Sequence, residues 1–73
     1  MTPLKWRYVS KNVRHADGHY TSWWYELVRE NTNAGTWWTA WFHDYPHGEQ
    51  RLGYGTFTEA RAACIKHHNH KGY

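Results

Sequence analysis

The residues of this 73-residue chain whose types could do chemistry are seven histidines, one cysteine and six tryptophans. His67, His68 and His70, with His43 and His47, could gather metal ligands from a helix end and a strand end. Zinc sites, however, are built from Cys and His at short fixed spacings, and neither a second Cys nor such a spacing is present. The histidine-rich end, with 69–73, is therefore read as a frayed, solvated tail, and no metal or cofactor is expected. Cys64 could be a nucleophile, but its neighbours on a helix face are small, which favours a buried and inert thiol. Asp17 and Asp44 fall in or beside turns, where Asp caps backbone amides. With no Ser/His/Asp arrangement, no phosphate-cradling glycine loop and no carboxylate pair, the chain is not expected to be an enzyme.

The tryptophans are the sharper signal. "GTWWTAWFHDY", residues 35–45, concentrates three Trp, one Phe and one Tyr in a strand-like run. Side chains alternate between the faces of a strand. Trp38, Ala40 and Phe42 then share one face, and Trp37, Thr39, Trp41 and His43 share the other. The preceding run, "YTSWWYELVRE", splits in the same way. Thr21, Trp23, Tyr25 and Leu27 form a core set, while Ser22, Trp24, Glu26, Val28 and Glu30 lie opposite. Aromatics on both faces of a sheet leave one set without a structural task, and exposed aromatic patches mark interaction sites. The structural alternative is that the N-terminal segment or a one-residue slip in register covers the second set.

The elements that must position these faces follow from turn and cap signals. "LKWRYVSKNV", residues 4–13, reads as a first strand with Leu4, Trp6 and Tyr8 on one side and Lys5, Arg7 and Val9 on the other, an edge blunted by its cations. Asp17-Gly18 is a hairpin signal, because Gly tolerates positive φ. "NTNAG" turns the chain again, Pro46 and Gly48 end the third strand, and "QRLGYG" can form a short fourth. Thr56 and Glu59 fit a capping box, so a helix is expected from Phe57. Phe57, Ala60, Ala63, Cys64 and His67 line one side of it, and Lys66, His67 and His68 near its C-terminus complement the helix dipole. A side of Ala and Cys lets the helix approach a sheet closely, and Ala40 marks where it comes nearest. The expected fold is α+β: an antiparallel β-meander of three or four strands with one C-terminal α-helix on one face.

Composition narrows the function class. One small domain fits this length. The aromatic content is that of a chain built to fold, and a lone Cys excludes an internal disulfide. "MTPLKWRYVS" has no apolar leader core and no apolar run is long enough to cross a membrane, so a cytoplasmic protein without membrane contact is the expectation. The formal net charge of +3 permits nucleic-acid or acidic partners without establishing either.

"GTWWTAWFHD" with "RLGYGTFTEARAA" resembles the plant ethylene-response-factor DNA-binding domain and the arm-binding domain of tyrosine recombinases, three-stranded sheets backed by a helix. It is also similar to small phage and prophage proteins with the same ending. The resemblance implies that the sheet face away from the helix is the working one, with Arg and Trp on bases and phosphates. Here that face has the tryptophans but carries Glu26 and Glu30 where phosphates would lie. His68-Asn69-His70 superficially matches a His-Asn-His nuclease, but that chemistry needs residues spread over a folded metal unit and is rejected.

The sequence reading is therefore a small, phage-like accessory protein. It binds a protein partner, or a second copy of itself as a homodimer, through Trp24, Val28, Trp37, Trp41 and His43. The alternative is nucleic-acid binding by the same face, with Arg7, Lys11, Arg14 and Arg51 on phosphates.

Overall fold

The structure, a computed structural model, describes residues 4–17, 23–44 and 48–71. Five strands, β1 (Lys5–Ser10), β2 (Val13–Asp17), β3 (Trp23–Thr32), β4 (Gly35–Asp44) and β5 (Gly48–Gly55), form one antiparallel sheet in chain order. A single helix, α1 (Phe57–Lys71), follows and crosses one face over β5 and β4 as far as β3. The α+β meander with a C-terminal helix is as expected, with five strands rather than three or four. The extra strand comes from the first run, which breaks at Lys11–Asn12 instead of continuing to Val13. There the Asn12 amide donates to Ser10 Oγ at 3.3 Å, and the Arg29 amide on β3 donates to the Asn12 carbonyl at 2.7 Å. Residues 14–17 are consequently strand. The Gly18 turn signal, together with Thr21, Ser22, Tyr45, Pro46 and His47, lies outside the described residues.

The β3–β4 hairpin closes on Asn33–Ala34, and Thr32 organises it. Its Oγ1 donates to the Gly35 carbonyl at 3.0 Å and accepts from the Ala34 amide at 3.1 Å. This hairpin sets the register of every aromatic pair: Tyr25 faces Phe42, Leu27 faces Ala40, Trp24 faces His43 and Glu30 faces Trp37. The faces divide as the alternation predicts. On the helix side Ala16, Trp23, Tyr25, Leu27, Ala40 and Phe42 are buried with Ala60 and Cys64 of α1, and Leu4, Trp6, Trp38, Leu52 and Ala63 pack against them.

The capping box forms as the sequence predicts. Thr56 Oγ1 accepts from the Glu59 amide at 3.1 Å, and Glu59 Oε1 accepts from the Thr56 amide at 3.2 Å. The chain enters the cap through Gly55 at φ +148°, where a Cβ would stand 3.1 Å from the Glu59 carboxyl. Close approach of helix and sheet falls beside Ala40, at its β5 partner Gly53, where an added Cβ would lie 3.6 Å from that of Ala63. Phe57 differs from its expected core place. It is 38% exposed and meets the edge of Trp38 with ring centroids 5.0 Å apart. His68, by contrast, is buried, with its ring 5.7 Å from that of Trp23, and His67 Nδ1 is hydrogen-bonded to the Tyr25 hydroxyl at 2.8 Å. These two histidines belong to the packed underside of α1, which runs on through His70 to Lys71.

Candidate functional site

The face of the sheet away from α1 takes alternate residues of each strand. Along β4 it presents Trp37, Thr39, Trp41 and His43, and β3 sets Glu30, Val28, Glu26 and Trp24 beside them. On the β5 side, Thr39 faces Tyr54 and Trp41 faces Arg51. Those two residues are three apart, so simple alternation would put them on opposite faces. A β-bulge between Ala40 and Trp41 takes up Leu52 as the extra residue and returns both to the open face.

Glu30, Trp37, Thr39, Trp41, Arg51 and Tyr54 line a depression of about 370 Å³. Thr39, 4% exposed, is its floor, and Tyr54, 66% exposed, stands up as its wall on the β5 side. The Trp37 indole is held in place: its Nε1–H donates to Glu30 Oε2 at 2.8 Å. Trp37, Trp41 and Val28 are each partly exposed. The Arg51 guanidinium lies 5.8 Å from the centre of the Tyr54 ring, within cation–π range.

Beside the depression is a second cluster. The Glu26 carboxylate accepts from His15 Nε2 at 3.0 Å through one oxygen and from His43 Nε2 at 3.1 Å through the other. Glu49 Oε2 stands 3.4 Å from His43 Nδ1. Trp24 stacks on His43 at 3.9 Å and 12° and tilts against His15 at 4.5 Å. Glu26 thus fixes two imidazoles, and they fix the indole between them.

The five residues singled out for partner binding, Trp24, Val28, Trp37, Trp41 and His43, all lie on this face. The basic residues do not gather there. Arg7 pairs with His15 on the open face and Arg51 edges the depression, while Lys11 sits in the β1–β2 turn. Arg14 is on the helix side, with its guanidinium 4.4 Å from the centre of the Tyr8 ring and 5.5 Å from that of Trp38. Among described side chains, Lys5, Arg7 and Arg51 on the open face are matched by Glu26, Glu30 and Glu49.

Sequence reasoning did not single out His15, Glu49 or Tyr54. His15 and Glu49 are near β4 only because β2 and β5 flank the central hairpin, and Tyr54 needs the bulge. Among the described residues, no three His, Cys, Asp or Glu side chains are placed to hold a metal ion. Burial pushes the Cys64 thiol up to about 12. No helix among the described residues is long and apolar enough to cross a membrane. No family model, curated protein or solved structure matches the chain.

Proposed function

We propose that this chain is a binding module without catalytic activity, engaging a protein partner or a second copy of itself through the open face of its sheet. The observation that carries the reading is the depression over Thr39, where Trp37 and Trp41 stay partly exposed although the helix side already has its own aromatic core. Glu30 orients Trp37, and the His15–Glu26–His43 cluster orients Trp24. Rings held before a partner arrives lose little side-chain entropy on binding, and Trp is prominent among residues that dominate interface energy.

The charge balance of the face weighs against a nucleic-acid partner. Among the described side chains, Glu26, Glu30 and Glu49 offset Lys5, Arg7 and Arg51, and Arg14 is on the other side, so these residues offer a phosphate backbone no net positive charge. The test is affinity capture from cell lysate with the chain and its Trp41→Ala variant, each with and without nuclease. Proteins captured by the parent, lost with the variant and indifferent to nuclease support the proposal. Capture that disappears with nuclease would replace it with the nucleic-acid alternative.

A further inference from the structure

The two-dimensional order of side chains around Thr39 has a symmetry of its own. Seen face-on, Trp37 and Trp41 lie above and below Thr39 along β4, with Val28 and Tyr54 at its sides. Glu30 occupies the corner beside Trp37 on β3, Arg51 the diagonal corner beside Trp41 on β5, and Glu26 the corner beside Trp41 on β3. Neighbouring strands are ~4.8 Å apart and two residues along a strand span ~6.8 Å, so the array is a rectangle, and exchanging its two directions offsets the opposed side chains by about 2–3 Å, within the reach of Arg, Glu and Trp side chains.

A two-fold axis lying in the interface, drawn from the Glu26 corner through Thr39, exchanges the strand direction with the cross-strand direction. It sets Trp37 against the second copy's Tyr54, and Trp41 against its Val28. It also sets Glu30 against the second copy's Arg51, and each of these contacts occurs twice. The other diagonal would oppose Glu30 to Glu30 and Arg51 to Arg51. We infer that the partner fitting this face is a second copy of the chain, docked sheet on sheet with β4 strands crossing near a right angle.

An isologous contact requires that one patch complement itself, and this patch does so in both charge and apolar shape. Orthogonal crossing is one of the two ways sheets stack. Glu26 meets its own copy near the axis, and there each carboxylate is already engaged by His15 and His43. Crossed at a right angle, two four-stranded faces ~19 Å wide overlap over roughly 370 Å² per copy, below the size of stable specific interfaces, so a weak, reversible dimer is expected.

This inference rests on the open face being a binding surface, as proposed above. Sedimentation equilibrium of the full chain from about 10 μM to 1 mM should show monomer and dimer in exchange. Arg51→Glu opposes two pairs of carboxylates and should weaken the dimer about tenfold or more, as should Glu30→Arg. Combining the two substitutions restores opposite charges and should bring affinity back toward that of the parent. Arg51→Ala, at an exposed position, should weaken the dimer less than Arg51→Glu. A chain that is monomeric at 1 mM, single variants that dimerise as the parent does, or no recovery in the double variant would each overturn this pairing. Monomeric protein whose lysate capture is still abolished by Trp41→Ala would refute the second copy while leaving the binding face standing. Monomeric protein with no Trp41-dependent capture would remove both.

Discussion

Trp41 and Phe42 are adjacent in β4 and point to opposite faces, so truncating each in turn tests which face is core. Phe42 is buried against Tyr25 at 5.1 Å, His67 at 4.5 Å and Trp23 at 6.1 Å between ring centroids. Phe42→Ala loses the transfer energy of the ring and leaves a cavity, together about 3–5 kcal/mol. Trp41 has two cross-strand neighbours on its face, Glu26 and Arg51. Each such pair contributes roughly 0.2–1 kcal/mol relative to Ala, and water fills the space left, so Trp41→Ala should cost about 0.5–2 kcal/mol. With an unfolding entropy near 2.1 cal/mol/K per residue, 1 kcal/mol corresponds to about 6–7 °C for a chain of this size. Thermal melts followed by circular dichroism should therefore show Tm falling by about 3–13 °C for Trp41→Ala and by about 20 °C or more for Phe42→Ala. Equal losses, or the reverse order, would mean that the open face is covered in the folded protein and would refute the face assignment.

The two glycines near α1 should respond in opposite ways. Gly53→Ala adds a methyl at ordinary contact distance from Ala63 and should be neutral or stabilising by up to about 1 kcal/mol, whereas Gly55→Ala strains a positive φ and crowds Glu59, costing about 2–3 kcal/mol by urea denaturation. Glu30→Gln weakens the acceptor for Trp37 Nε1 and should broaden the motion of that ring, read as lower fluorescence anisotropy of a variant keeping Trp37 as its single open-face indole. Cys64 holds its proton more tightly when folded, with its value raised from 9.0 to about 12 by desolvation, so its contribution is fully present below pH 9 and is lost as pH rises toward 12. Stability from urea melts should fall by about 1.4 kcal/mol per pH unit across that window relative to Cys64→Ala, and a matching slope in both proteins would show that the thiol is not the cause.

Much of this fold is legible because its signals are local. The capping box at Thr56 and Glu59, the turn at Asn33–Ala34 and the alternation through β3 and β4 each depend on residues a few positions apart, and each forms as the sequence implies. The break at Lys11–Asn12 was hidden because "SKN" has no glycine or proline, and its stabilising contact comes from Arg29 on a different strand. Phe57 and His68 exchange their expected places for a similar reason. Periodicity gives the apolar stripe of a helix, but which end of that stripe lies over the sheet depends on where α1 crosses, and it crosses with His68 over Trp23 and Phe57 at the rim by Trp38.

For the candidate site, alternation places its tryptophans but not its boundary. The bulge at Leu52 is what makes the depression asymmetric: it brings Tyr54 up beside Thr39 and leaves Arg51 beside Trp41. With strict alternation through β5, Arg51 and Leu52 could not both hold their present faces while Tyr54 joined Arg51. Either the wall or the base of the depression would move to the helix side. One extra residue thus gives the face both an acid corner and a basic corner on the same diagonal, and that diagonal determines which relative orientation of two copies is complementary. The charge signs at Glu30 and Arg51 select between the two diagonals, while the aromatic rings supply the contact area in either case. In the proposed dimer, the orientation of the second copy is therefore set by the irregular strand rather than by the tryptophans that make the face conspicuous.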